Sequence, residues 1–241
     1  MTLSILAFDP KDDVVGAAVT SCVLAAGRRV LHLRPGVGAV AAQASSNITW
    51  GTDILDALQA GATLADAIAP FSREDVQLAV IDFTGRVAGH NGAECPSHAA
   101  QIFRHGVAAQ VNLAALPDAV ERMLAAFDAA VDQPLAERLV AALAASGDDS
   151  RGKQSAAVYV SGRGPLNGET NEPHVDLRVD DHREPVAELS RLLSLHRAHL
   201  AMRETFSGEV GDAEAVLTPL AEAHPDDPHL RTALARAQSE R

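Results

Sequence analysis

A chain of 241 residues, 47% of them hydrophobic, is long enough to bury one full core and carry a helical appendage. Only 3% are aromatic, so the core must be built from Ala, Val and Leu in layers that pack close. A formal charge of -12 argues against nucleic acid or an anionic membrane surface as the main partner, while a local Arg or Lys can still hold a small anionic substrate. There is no basic segment leading into an apolar leader and no apolar span long enough for a bilayer, so a cytoplasmic protein is expected. Cys22 and Cys95 lack metal-ligand spacing and read as two buried thiols.

Thr2–Phe8 and Val14–Ser21 are short apolar runs around the polar turn Asp9-Pro10-Lys11-Asp12-Asp13, the pattern of a β-hairpin. Arg29–Arg34 alternates with a period of two and reads as a strand. Val37–Ser46 is another, made of very small residues that let a second layer or a substrate approach the backbone; it runs into the polar stretch Gln43–Asn47. From Trp50 to Ala60 the period becomes helical, with Gly61 at the stop, and Thr63 with Asp66 opens a short second helix that ends near Pro70. Gln77–Phe83 and Arg86–His90 form a hairpin across Thr84-Gly85, and Val107–Leu113 is a further strand.

Two helices, Leu116–Ala130 and Pro134–Ala145, carry apolar stripes wide enough to cover a sheet, and Gly147 closes the second. The polar connection Asp148–Ser155 leads into the strand Ala156–Val160. His174–Asp180 alternates polar and apolar, as a half-exposed strand near a sheet edge does. Pro185–Glu204, Asp212–His224 and His229–Gln238 are helical, with an interruption at Gly208–Gly211. Hairpins and paired helices argue against a doubly wound βαβ fold and for two antiparallel sheets with helices outside.

Four stretches together resemble a known family. They are Thr2-Leu3-Ser4-Ile5-Leu6-Ala7 with Asp9-Pro10, Gly36–Val40 with Ala42-Gln43, Arg151-Gly152-Lys153-Gln154-Ser155-Ala156-Ala157, and Val175-Asp176-Leu177-Arg178-Val179-Asp180-Asp181-His182. The set is similar to the domain-of-unknown-function family 1028, whose fold is like that of the N-terminal nucleophile (Ntn) hydrolases. The likeness runs from Thr2 to about Leu193. It implies an α+β, four-layer αββα sandwich of two antiparallel sheets over residues 2–193, with residues 194–241 as a helical C-terminal extension. Some relatives carry an added peptidoglycan-binding part, a function not carried over to this short tail. Val111 departs from the family pattern, where Gly is common, and so weakens any carry-over of substrate.

The resemblance implies hydrolase chemistry centred on Thr2. A small residue after Met1 favours removal of the initiator Met, which leaves a free α-amine beside the Thr hydroxyl, a one-residue nucleophile and base. The reference pKa of such an amine, about 8, lies near working pH. Lys153 facing Thr2 would keep the amine neutral and stabilise a developing alkoxide, and Ser155 completes the candidate catalytic set. Gln43, Ser46, Asn47 and Gln154, with Asp180 and His182, are candidates for oxyanion donors or substrate contacts.

The His174–His182 run is not read as a metal site, because Arg178 sits among its possible ligands and alternating charge on an exposed strand explains it. His90-Asn91-Gly92 and Cys95-Pro96-Ser97-His98 are read as packing and turn residues. No GxGxxG or Walker sequence calls for a cofactor. The expected activity is hydrolysis of an amide or related C–N bond in a small molecule. The alternative is a ligand-binding or assembly protein that keeps the fold without the reaction. The stripe Leu189, Leu192, Leu193 and Leu200, with His196 along it, suggests a homodimer.

Overall fold

The computed structural model describes residues 2–147, 152–164, 174–207 and 213–239. Met1, Arg151, the Asp148–Ser150 part of the polar connection and the Gly208–Gly211 interruption lie outside the described residues. β1 (Thr2–Asp9) and β2 (Val14–Ser21) form the opening hairpin, with Thr2 opposite Ser21 and Asp9 opposite Val14. The Asp9 carboxylate accepts the Lys11 amide at 2.9 Å and so fastens the turn. α1 (Ala26–Val30) runs directly into β3 (Leu31–Arg34) and β4 (Gly38–Ala44). α2 (Trp50–Gln59) and α3 (Leu64–Ile68) follow, the latter capped by the Thr63 hydroxyl on the Asp66 amide.

Next come β5 (Val76–Asp82), β6 (Val87–Asn91), β7 (Ala100–Arg104) and β8 (Val107–Asn112). α4 (Ala119–Ala129) and α5 (Leu135–Ala145) precede β9 (Ser155–Gly162) and β10 (Val175–Val179). α6 (Pro185–Ser207), α7 (Ala213–Ala223) and α8 (Pro228–Ser239) complete the chain.

The strands make two antiparallel sheets, ordered β10-β9-β2-β1-β8-β7 and β3-β4-β5-β6. α4 and α5 cover one face of the six-stranded sheet, α2 and α3 cover one face of the four-stranded sheet, and the two remaining faces pack together. The expected α+β arrangement of two antiparallel sheets flanked by helices, followed by a helical C-terminal stretch, is therefore present. Between the sheets, Ala17, Ala39, Ala41, Ala79, Ala108 and Ala157 are fully buried beside Leu6, Val15 and Ile81. Small side chains on both inner faces let the layers approach, as the low aromatic content required.

Two elements differ from the sequence reading. Arg29 and Val30 belong to α1, not to a strand that begins at Arg29: Ala25 at φ 55° turns the chain, and buried Gly27 lies where a Cβ would come within 2.4 Å of Ala157. β7 is an additional edge strand paired with β8. β10, by contrast, is the expected half-exposed edge, with Asp176 and Arg178 exposed and Val175 and Val179 buried.

The chain forms two compact units, Met1–Leu189 and Ser190–Arg241, and α6 contributes residues to both. In the second unit Ala198, Ala221 and Leu230 are buried among Leu195, Met202, Leu220 and Leu234. The Asp227 carboxylate accepts the Leu230 amide at 2.8 Å and caps α8.

Candidate functional site

Strand register sets the site. Across the six-stranded sheet, Asn112 of β8 is opposite Thr2, Thr2 is opposite Ser21, and Ser21 is opposite Ser155. Cross-strand partners project to the same face, so four polar side chains line up at one end of the sheet. Thr2 is half-buried there, and each of its polar groups meets a side chain from a different strand. Its nitrogen donates to Asn112 Oδ1 at 3.1 Å, its Oγ1 lies 3.1 Å from Ser21 Oγ, and its carbonyl accepts Gln43 Nε2 at 3.3 Å.

The residues singled out from sequence divide into those gathered around Thr2 and those engaged elsewhere. Gln43, buried on β4, contacts Thr2 directly. The Gln154 amide donates to the Ser21 carbonyl at 2.8 Å, while its side chain donates to Asp181 Oδ1 at 3.0 Å and its carbonyl accepts the His182 amide at 2.9 Å.

Lys153 is half-buried with its Nζ 3.5 Å from Ser146 Oγ. Ser155 is fully buried; its hydroxyl donates to the Val23 carbonyl at 2.6 Å and accepts the Ala26 amide at 3.0 Å, so it holds the turn after β2. Ser46 is half-buried just past β4. Asn47 is exposed and accepts the Thr49 amide and hydroxyl at 3.0 and 3.3 Å, within the turn ahead of α2. The Asp180 carbonyl accepts the Ala25 amide at 3.0 Å, and His182 Nδ1 accepts the Glu184 amide at 3.0 Å ahead of α6.

Ser21, Asn112 and Gln77 were not singled out from sequence. Ser21 was accessible by counting, since a hairpin closed around Asp9–Asp13 sets it opposite Thr2. Gln110 and Asn112 alternate within an apolar strand, and Gln77 opens another; polar residues at inward-facing strand positions are the signal. Inside the sandwich these amides form a connected set. Gln43 Oε1 accepts the Ser4 hydroxyl at 2.8 Å, and Gln43 Nε2 donates to Gln77 Oε1 at 2.5 Å. Asn112 Nδ2 donates to the same Gln77 oxygen at 3.2 Å. Gln77 Nε2 faces the carbonyls of Val111 and Ala100 at 3.0 and 3.3 Å and Asn91 Oδ1 at 2.9 Å. Val111 itself is buried in the ladder opposite Leu3.

Among the described residues, no three His, Cys, Asp or Glu side chains gather as a metal site. Cys22 and Cys95 form no disulfide and are half-buried rather than the fully buried thiols expected, and partial burial pushes the Cys95 thiol above its usual range.

A two-sheet α+β sandwich with a threonine held at the start of its central hairpin is the class of protein these features define. The sequence profile of the family of unknown function DUF1028 matches residues 2–189, and the chain belongs to that family. It is also similar to the crystal structure of protein SPO2555 from Silicibacter pomeroyi, described under the same family, at 30% identity and a TM-score of 0.71. That similarity covers 80% of this chain and 87% of the other. No curated protein matches.

Proposed function

We propose that this protein hydrolyses an amide or related C–N bond in a small molecule, with Thr2 as an N-terminal nucleophile on an Ntn-hydrolase-like sandwich. The observation that carries the reading is the hold on Thr2: nitrogen, hydroxyl and carbonyl each have a side-chain partner, at the end of a strand buried between two others. Once Met1 is removed, the Thr2 nitrogen is an amine with a lone pair. Thr2 Oγ1 attacks the substrate carbonyl carbon as the amine takes the hydroxyl proton, directly or through a water. The tetrahedral intermediate then collapses, the C–N bond breaks, and the amine returns the proton to the departing nitrogen. Water, activated by the same amine, hydrolyses the Thr2 ester and releases the acid.

Ser21 Oγ shares a hydrogen with Thr2 Oγ1 and steadies the rotamer of the nucleophile. Lys153 supplies positive charge for the developing alkoxide. Ser155 acts through the turn that it ties to β9, and Gln43, Ser46, Asn47 and Gln154 remain the candidates for substrate and oxyanion contacts, with Asp180 and His182 beyond them. The net charge of -12 favours a small-molecule substrate over nucleic acid. No helix among the described residues is long and apolar enough to cross a membrane.

The test is T2A against K153A. T2A should still lose Met1 and fold, since Ala is also small, while turnover of a panel of acyl p-nitroanilides falls by roughly several hundredfold. K153A should lose on the order of tenfold to a hundredfold and change its pH profile. Incubation with p-nitrophenyl acetate should leave an acetyl group on the residue 2 hydroxyl, located by peptide mass spectrometry. Full retention of Met1, or turnover in T2A equal to wild type at equal stability, returns the protein to a ligand-binding or assembly role on the same fold.

A further inference from the structure

We infer that Asn112 is a positioning residue for the Thr2 amine, its side-chain carbonyl aimed at that nitrogen by a directional chain of buried amides. The inference rests on the reading of Thr2 as an N-terminal nucleophile. The direction of the chain is set at its far end. The carbonyls of Val111 and Ala100 can only accept, so the Gln77 group facing them is its NH2 and the group facing away is Oε1. That oxygen then receives the NH2 groups of both Asn112 and Gln43. With its NH2 committed to Gln77, Asn112 presents Oδ1 to the Thr2 nitrogen. Gln43, likewise committed, presents Oε1 to the Ser4 hydroxyl.

Reversing the Asn112 amide would set its NH2 against the Thr2 nitrogen and its oxygen against Gln77 Oε1. Gln77 is fully buried and Asn112 is 3% exposed, so water does not relieve the clash between the two oxygens, and an NH2 at the Thr2 nitrogen is tolerated only by the neutral amine. The orientation is therefore determined by two main-chain carbonyls on neighbouring strands.

The consequence is chemical. An acceptor beside the amine binds one of its hydrogens in both protonation states. In the neutral amine this turns the lone pair away from Asn112 and leaves it for a proton arriving from Thr2 Oγ1 or an intervening water. The strands around Thr2 bring it neutral groups: Ser21 from β2, Asn112 from β8 and Gln43 from β4. α5 meets β1 at its other end through Arg138 and Asp9, 3.6 Å apart. The charged residues of the segments beside Ser21 are Lys153, close to Ser146, and Asp181, close to Gln154. Asn112 is thus a neutral group in direct contact with that nitrogen, through which the amine's basicity can be moved in either direction by substitution.

The experiment uses the full chain and labels the residue 2 amine with trace acetic anhydride from pH 5 to 10, reading the midpoint by peptide mass spectrometry. N112D sets a carboxylate against the ammonium and should move the midpoint up by about one pH unit. N112A removes the acceptor and should move it down, and Q77M, which frees the Asn112 amide to turn, should move it down by less. Acylation by p-nitrophenyl acetate at pH 7 should fall about tenfold or more in N112D, where the base is held protonated. A merely structural role would lower thermal stability without opposite midpoint shifts in the Asp and Ala variants. If N112D does not fold, the downward shift in N112A and Q77M decides. A free Thr2 amine with the same midpoint in every folded variant overturns the role of Asn112 and leaves Thr2 as nucleophile. An amine found only on Met1 overturns the nucleophile reading, and this inference with it.

Discussion

Thr2 and Ser155 sit two strands apart in one row, yet their surroundings ask different things of them. Thr2 is half-buried and its hydroxyl meets another hydroxyl, so its contacts can rearrange around a substrate. Ser155 is fully buried, and its hydroxyl satisfies a carbonyl and an amide of the turn after β2. S155A should therefore act on stability first. The buried Ala26 amide and the part-buried Val23 carbonyl lose their partner, for a cost of about 1–3 kcal/mol. Acylation of Thr2 in the variant that remains folded should change by less than roughly threefold. Urea unfolding combined with the p-nitrophenyl acetate assay checks both, and a hundredfold rate loss at unchanged stability would put Ser155 in the chemistry instead. Thr2 and Gln43 were legible because one opens the first strand and the other ends a strand of small residues. Asn112 was not, because its meaning depends on a partner 110 residues away in the chain, and register between distant strands is set by tertiary packing.

Hairpins were the easiest elements to read: polar turns between apolar runs place β1–β2 and β5–β6 without reference to the rest of the fold. α1 was hidden, because five residues are too few to display a helical period. β7 was hidden by partial exposure, which leaves Ala100–Phe103 without clean alternation. At β3 the alternation was informative in both directions. Leu31 and Leu33 face the inter-sheet core, while His32 lies against α2 at Gly51, where a Cβ would come within 2.0 Å of the imidazole. His32 Nε2 has no hydrogen-bond partner among the described residues. Burial, then the nearby Arg28, hold its pKa below the usual 6.5 against the opposing pull of Asp53.

The folded state therefore binds a proton at His32 less readily than the unfolded chain does. The stability tied to the neutral ring is fully present above the unfolded value of 6.5 and is lost as pH falls below it. Wild type should lose more stability than H32L between pH 7.5 and pH 5.5 in urea titrations. Equal losses in the two proteins would show that His32 does not contribute to the acid response. Asp82 acts lower on the scale. Burial raises its pKa, but hydrogen bonds from Thr84 and Arg86 outweigh that and hold it below 3.8, so its contribution is lost only as pH falls below that value.

The family match ends at residue 189, where the first compact unit also ends. That unit contains both sheets, the four helices that cover them and every residue of the Thr2 network. A chain of residues 1–189 should therefore fold cooperatively and label at Thr2 within roughly threefold of the full protein. The helical unit has few resources for folding alone: among its described residues Ala198, Leu217, Ala221, Leu230 and Ala233 are buried, several of them small, in a size range where independent stability is marginal. Residues 190–241 expressed separately should show a broad, weakly cooperative thermal transition by circular dichroism.

The stripe that suggested a dimer is partly used within the chain, since Leu189 and Leu193 are buried, whereas Phe206 is 43% exposed. If the helical unit mediates a homodimer, light scattering should give twice the monomer mass for the full protein and the monomer mass for residues 1–189. A dimer in both would place the interface on the sandwich. A monomer in both, across micromolar concentrations, would remove the dimer while leaving the Thr2 chemistry to be judged on its own assays.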